Sequence, residues 1–340
     1  LVMIAMLLIG YRAIGMVVVT TIFNVVTLLI NYWYCKKRLK IQVRFGHFQW
    51  GFFKEVSVYS FWIFLNAIMD RIYWSTGQFV LGMFKGAAVV AVYAVAIQLQ
   101  AIYMGFSTAI SGVFLPKVTA MVTKENNEKA ISDLFIRTGR IQYIIIAFIL
   151  TGFVVFGKSF IRLWAGSDYE DAYGITLCFF IPMTVPLIQN LGIIILQARN
   201  QMKFRSTLYV VIAFVSLVIS IPLSKQYGGI GCAISIALAL TTGQIIVMNI
   251  YYHRVIHIDI LDFWKEIGKM SLVPFAIGSL SFYLFCIYEI HTVQIFIVCI
   301  FAFSCIYVPL FWFFGMNAYE KELFVSPVRR FVGRLQKNLQ

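Results

Sequence analysis

Residues 141–157 read IQYIIIAFILTGFVVFG, a run without a charged side chain. An α-helix of about 20 mainly apolar residues crosses the hydrocarbon core of a bilayer, because each residue adds about 1.5 Å. Similar runs recur along the whole chain, so we expect an all-α polytopic membrane protein with nine full spans after a partial helix at residues 1–9. The expected spans are residues 13–34, 56–83, 87–110, 141–157, 173–196, 207–223, 230–251, 271–289 and 293–314.

The composition supports the same class of protein. The chain has 340 residues, of which 61% are hydrophobic and 12% charged, whereas soluble domains are about 45–50% apolar and about 25% charged. It begins at Leu1 inside an apolar run, without the basic region and cleavage site of a signal peptide. We therefore expect the sequence to begin partway into a longer protein.

The net charge of +14 raises the question of nucleic-acid binding. The distribution of Lys and Arg favours topology instead, since 22 of the 28 lie in the long connections and the C-terminal tail, and five lie in the short connections. By the positive-inside rule, the long connections and the C-terminus are predicted to be cytoplasmic, next to lipid headgroups. No nucleic-acid partner is predicted. The long basic segments are 35–55, 116–140, 198–206, 252–270 and the tail from 315.

The expected span 56–83 carries two adjacent charges near its middle, Asp70 and Arg71. A charge at the bilayer centre costs about 2.5–3.5 kcal/mol, so such residues seldom face lipid. This predicts that the polar half of the helix lines a cavity; the alternative is an ion pair with another helix that locks the bundle. At 100° per residue, that half contains Asn66, Asp70, Arg71, Tyr73, Trp74, Ser75, Gly77 and Gln78.

Two other spans have polar stripes with open interpretations. In the span 173–196, two prolines predict a bend, and their polar neighbours face either a cavity or a packing kink. In the span 87–110, the polar stripe either faces the cavity or forms interhelical hydrogen bonds. The stripes contain Pro182, Pro186, Gln189, Asn190 and Gln197 in the first case, and Tyr93, Gln100 and Ser107 in the second. The predicted cavity residues are Asn66, Arg71, Tyr73, Gln78, Tyr93, Gln100, Gln189 and Asn190.

The sequence has no pattern of an enzyme, a metal site or a cofactor site. It contains no Walker A, GxSxG or HExxH motif, and none of its six cysteines forms a CxxC pair. His253 and His257 have a metal-compatible spacing, but they lack acidic partners and favour an interfacial helix. The connection 158–172 carries aromatic and acidic residues that indicate either an interfacial belt or a sugar contact.

A weak internal repeat predicts the domain organisation. Two similar motifs each open a span, Tyr11-Arg-Ala-Ile-Gly15 and Tyr227-Gly-Gly-Ile-Gly231. The two spans are six apart and are predicted to cross the membrane in the same direction, which is typical of a parallel six-helix repeat. The predicted units are the end of a first bundle (1–34), a basic cytoplasmic linker (35–55), a second bundle (56–251), an amphipathic cytoplasmic linker (252–270), a terminal helix pair (271–314) and a basic cytoplasmic tail (315–340).

Several motifs resemble those of the polysaccharide and O-antigen flippases (Wzx-like) in the multidrug/oligosaccharidyl-lipid/polysaccharide exporter superfamily. They are Asp70-Arg-Ile-Tyr, Leu81-Gly-Met-Phe, Val92-Tyr-Ala-Val-Ala96, Phe114-Leu-Pro-Lys117 and the turn Tyr227–Gly231. The resemblance implies a two-bundle fold of fourteen helices, of which this chain would hold the sixth to the fourteenth.

The resemblance also implies a function. A member of this family moves an oligosaccharide linked to undecaprenyl pyrophosphate across the bacterial inner membrane, by alternating access coupled to a proton or sodium ion. Arg71 would then attract the anionic cargo and Asp70 would couple the ion, with membrane lipids and other polysaccharide-assembly proteins as partners. The alternatives are a multidrug or cation antiporter of the same superfamily and a non-transporting scaffold for envelope assembly.

Overall fold

The computed structural model describes residues 12–38, 50–124, 128–286, 290 and 292–326, and the regular structure within them is helical throughout. The α-helices are α1 (Arg12–Lys37), α2 (Trp50–Phe84), α3 (Ala87–Gly112), α4 (Leu115–Lys124), α5 (Glu128–Trp164), α6 (Ala172–Ile188), α7 (Leu191–Ala198), α8 (Met202–Ala239), α9 (Met248–Arg254), α10 (Ile260–Cys286) and α11 (Val293–Phe314). A 3₁₀ turn at Ser167–Tyr169 precedes α6, and a π-helix at Leu240–Val247 joins α8 to α9.

The helices confirm an all-α polytopic membrane protein. Within the described residues, six are long and apolar enough to cross a membrane, and the bent pair α6–α7 makes a seventh. This count is lower than the nine expected spans for two reasons. The segment Met202–Arg254 counts once, although it covers two expected spans, and α2 is not counted because its polar residues lower its hydropathy.

The chain forms two compact units, Leu1–Val58 and Tyr59–Gln340. In the first unit, α1 leaves most of its described apolar side chains exposed, which is typical of a helix that meets lipid. In the second unit, a core of buried aromatic and aliphatic side chains includes Tyr93, Phe135 and Phe179. The site described below lies within the second unit.

One basic segment that the sequence suggested was a connection is largely helical, since residues 116–140 contain most of α4 and the first three turns of α5. A charged helical turn beyond the membrane lowers the hydropathy without ending the helix. The linker 252–270, which the sequence predicted to be amphipathic, contains the start of α10 at Ile260. The segment 318–326, within the expected tail, is helical as well.

Two breaks shape the second unit. Gly228, with φ of 59°, interrupts α8 at the expected short connection, and a Cβ at Gly231 would lie 2.1 Å from the Leu223 carbonyl oxygen. Only glycine adopts the first conformation easily and allows the second approach. The other break separates α6 from α7 with a bend of 46°, and it lies at Gln189–Asn190, just after Pro186.

Candidate functional site

A cavity of about 330 Å³ opens among α2, α3, the pair α6–α7 and α8. One face of α2 forms its first wall, because residues three and four positions apart lie along the same side of a helix. These residues are Ile63, Asn66, Ala67, Asp70 and Trp74. Part of the polar half of this helix therefore lies against the cavity.

Arg205 forms the opposite, positively charged side of the cavity. It lies in the first turn of α8 with 7% of its surface exposed. Its Nη1 donates a hydrogen bond to Asn66 Oδ1 at 2.7 Å, and its guanidinium lies 4.5 Å from the centroid of the Tyr209 ring. Its Nε is buried without a hydrogen-bond partner among the described residues.

Asp70 lines the same cavity and is half-buried. It is attracted to the Arg205 guanidinium and interacts with Trp74, one turn further along α2. The described residues show no direct ion pair between the two groups. The cavity thus holds one anionic and one cationic side chain that a polar guest could approach separately, an arrangement between the two interpretations that the sequence left open.

The pair α6–α7 forms the remaining polar wall. Pro186, Asn190 and Gln197 line the cavity, and Asn190 Nδ2 donates a hydrogen bond to Ser111 Oγ of α3 at 2.8 Å. Gln189 is buried elsewhere, where its Nε2 donates to Asn249 Oδ1 at 2.8 Å. The expected single polar arc is therefore split, because the break at Gln189–Asn190 changes the helical register.

Three other predicted cavity residues belong to the packed interior. Tyr73 donates a hydrogen bond to the Ile236 carbonyl oxygen at 2.9 Å, and Gln100 donates to the Met183 sulfur at 3.5 Å. Tyr93 is fully buried, with its hydroxyl unpartnered within the described part of the chain and its ring against Gly77. These contacts favour interhelical packing for α3.

Arg71 and Gln78 also lie outside the cavity lining. Arg71 is exposed and Gln78 is half-exposed. Arg71 follows Asp70 directly, so its side chain points about 100° away around the helix. Of the predicted site, the structure brings Asn66, Asp70 and Asn190 together.

Sequence reasoning missed Arg205 because it placed this residue in a basic loop ending at 206. The spacing of Met202, Arg205 and Tyr209 was an available signal, since these positions lie on one helical face and all three line the cavity. The π-helix that begins at Leu240 also borders the cavity, and π-helical turns are frequent at functional sites.

The connection that the sequence suggested for a belt or a sugar contact is organised by ion pairs. Arg162 Nε donates a hydrogen bond to Glu170 Oε1, and Lys158 Nζ lies 3.7 Å from Glu170 Oε2. The hydrogen bond from Arg162 is the main reason that the pKa of the Glu170 carboxyl lies below its usual value. These contacts compensate the charge of the Glu170 carboxylate without a ligand.

Two further cavities contrast with the polar one. They measure about 270 and 280 Å³, and apolar and aromatic side chains line nearly all of their surface. One lies among α3, α5, α6 and α11, and the other between α5 and α11 with the segment that follows. Neither contains a charged side chain in its lining, which distinguishes them from the cavity at Arg205.

Comparison with known proteins shows a match in the first half of the chain. A family model described as "Polysaccharide biosynthesis protein" matches residues 1–174. The matched part includes α2 and α3, which contribute Asn66, Asp70 and Thr108 to the cavity. No curated protein and no solved structure matches this chain.

Proposed function

The chain belongs to the polysaccharide biosynthesis protein family, and we propose that it is a flippase for a lipid-linked oligosaccharide. The cargo is an oligosaccharide on undecaprenyl pyrophosphate, which crosses the bacterial inner membrane for the synthesis of surface polysaccharide. The multi-pass helical structure is consistent with a membrane carrier, and the match defines the broad process.

The observation that carries the proposal is the buried, incompletely paired guanidinium of Arg205. A guanidinium has five N–H donors in a planar fork and binds phosphate oxygens in pairs. Asn66 Oδ1 accepts a hydrogen bond from one of these N–H groups, and the Nε of Arg205 has no partner within the described residues. An anionic pyrophosphate would supply acceptors for the rest, whereas the uncharged sugars would contact the amides of Asn190 and Gln197.

Asp70 supplies the group that could couple transport to an ion. Its carboxylate is attracted to Arg205, and so it competes with an anionic cargo for the same guanidinium. A proton or sodium ion on Asp70 would weaken this competition and favour cargo binding. Ion binding and cargo binding are therefore thermodynamically linked, and such a link is the requirement for coupling transport to an ion gradient.

Export of surface polymer by single-residue variants tests the proposal. In cells that depend on this protein, Arg205→Gln should lower surface polymer by about tenfold or more, because hydrogen bonds to charged groups contribute about 1.5–3 kcal/mol. Asp70→Asn should also lower surface polymer, and the remaining export should depend less on the ion gradient. The abundance of each variant in the membrane is measured in parallel.

Lys203→Gln is the matched control, because Lys203 is exposed on the same turn of α8. It should export normally. Normal polymer in Arg205→Gln at normal abundance would contradict the assignment of the cavity to the cargo. Arg71→Ala is a third arm, and a loss confined to this variant would transfer the anion-binding role to Arg71.

A multidrug or cation antiporter is the second candidate, and the position of Asp70 supports it. A carboxylate in a partly apolar cavity could bind a cationic drug, and Trp74 beside it could contact the cation through its ring. Drug-susceptibility assays on the same variants separate the two functions. Sensitisation by Asp70→Asn with normal surface polymer would favour the antiporter.

A further inference from the structure

A buried ionic cluster lies outside the cavity, where α5, α10 and the segment 316–326 meet. Arg140 of α5 donates through Nε and Nη2 to the two carboxylate oxygens of Glu320, at 2.5 and 3.0 Å. Its Nη1 donates to Glu266 Oε2 of α10 at 2.7 Å. Arg140 is 5% exposed and Glu320 is 1% exposed. The cluster therefore joins three separate parts of the chain through one guanidinium.

The segment 316–326 is held in one position by further contacts. Glu320 also accepts a hydrogen bond from the backbone N–H of Asn317, and Asn317 Oδ1 accepts one from the N–H of Glu320. Arg137, one turn before Arg140, lies 5.4 Å from the centroid of the Tyr319 ring. The sequence predicted a basic cytoplasmic tail from residue 315, and in the structure this segment of it is docked on α5.

The cluster is an inefficient way to gain stability. Desolvation of buried charges offsets much of their attraction, and apolar replacements of such pairs are often neutral or stabilising. Directional hydrogen bonds do select one docking position over others. The arrangement is thus better suited to a contact that must form in one register than to one that only adds stability.

The residues on either side of Arg140 support the break in the cavity wall. A Cβ at Gly139 would lie 2.8 Å from the Ile188 carbonyl oxygen at the end of α6. Gln142 Nε2 donates to Ser107 Oγ at 3.1 Å, and Ser107 Oγ donates to the Leu187 carbonyl oxygen at 2.6 Å. One turn of α5 therefore contacts the docked segment on one side and the end of α6 on the other.

We propose that the segment 316–326 is a latch that holds the break at Gln189–Asn190 in its observed bend, acting through Arg140 and its neighbours on α5. Undocking of the latch would free this turn of α5 to shift, and the cavity wall formed by Leu187 and Asn190 would shift with it. Arg140 and Glu320 are then positioning residues, which act on the cavity without touching its contents. The proposal does not depend on the identity of the cargo.

Hydrogen exchange of the full chain in lipid nanodiscs tests the latch without any cargo. In Glu320→Gln, exchange in residues 318–326 should rise by about tenfold or more, because a charge-assisted hydrogen-bond pair is weakened. The proposal requires a second rise, of several-fold, in the peptide covering residues 185–193. Arg140 keeps Glu266 as a partner in this variant, so the fold is expected to persist.

Glu322→Gln is the matched control, because Glu322 is exposed two residues further along the same segment. It should leave both regions unchanged. Tyr319→Ala is a milder second variant that leaves no buried charge unpaired, and it should raise exchange in both regions by smaller factors. A rise confined to 318–326 in either variant, or no rise at all, would overturn the latch.

Discussion

Two buried arginines of the second unit have opposite environments. Arg140 donates to two carboxylates, and those bonds link α5 to α10 and to the segment 316–326. Arg205 donates to the neutral amide of Asn66 and stacks on Tyr209, and its Nε has no partner among the described residues. The two side chains are almost equally buried, at 5% and 7% exposure.

This difference in hydrogen-bond partners distinguishes a structural charge from one that can bind a ligand. A guanidinium whose donors face carboxylates has its charge compensated within the protein, so a ligand would gain little from it. A guanidinium with unfilled donors at the edge of a cavity keeps part of its binding capacity. The comparison predicts that loss of Arg140 harms stability, whereas loss of Arg205 harms function.

The largest expected effect is on the stability of Arg140→Leu. This variant leaves the buried carboxylate of Glu320 without its cationic partner, and breaking a buried pair on one side costs about 3–5 kcal/mol. Unfolding in mixed detergent micelles measures the change. Arg137→Leu is the control, because Arg137 is exposed one turn away, and it should cost much less. Equal costs for the two variants would remove the basis of the comparison.

A second effect comes from the backbone contact beside the cluster. Gly139→Ala places a methyl group against the Phe263 ring and the Ile188 carbonyl oxygen, and overpacking of this kind costs about 1–3 kcal/mol. Gly268→Ala, where a Cβ would meet nothing within 4 Å, should be neutral or stabilising, since alanine favours helices over glycine. The same unfolding assay compares the two. If Gly139→Ala left the free energy of unfolding unchanged, the close approach of α5 to α6 would not be needed for stability.

Replacement of Arg205 by methionine should have the opposite effect to Arg140→Leu, since it should harm function and leave stability nearly unchanged. The free energy of unfolding should stay within about 1 kcal/mol of the original or rise, because an under-paired buried charge is removed. Asn66 retains its hydrogen bonds to the Trp62 carbonyl oxygen and to Ser206. A loss of stability as large as that of Arg140→Leu would mean that Arg205 is structural as well.

The smallest expected effect concerns Tyr93, which the sequence suggested as a cavity residue. Tyr93→Phe removes a buried hydroxyl that has no partner within the described part of the chain, so stability should change by less than about 0.5 kcal/mol. Tyr73→Phe removes a hydrogen bond to the Ile236 carbonyl oxygen and should cost about 1 kcal/mol. Surface polymer should be normal in Tyr93→Phe, and a specific loss would return Tyr93 to the site.

Much of the architecture followed from local patterns. The helix cores, the break near Gly228 and the bend after Pro186 all lie where hydropathy, glycine and proline predicted them, because these signals act within a few residues of sequence. The ends of α5 and the start of α8 did not, since charged turns continue a helix beyond its apolar run. That error moved Arg140 and Arg205 from helices into connections.

The candidate site was predictable in part. Asn66 and Asp70 follow from the polar face of α2, because a helical period of 3.6 residues decides which side chains share a face. The wall formed by α6 and α7 did not follow, since the break at Gln189–Asn190 turns Gln189 towards Asn249 and Asn190 towards Ser111. No periodic argument extends across a break whose geometry depends on neighbouring helices.

The membrane class, most of the helices and the charged face of α2 follow from the sequence alone. These properties depend on how many apolar residues follow one another and on the angle between successive side chains, both of which are local. The surroundings of the two arginines depend on tertiary structure, which places Arg205 beside Asn66 in the cavity that Asp70 also lines and joins Arg140 to Glu266 and Glu320. The hydrogen-bonded residues are more than 100 positions apart in the chain, and packing between helices, which no local pattern encodes, brings them together.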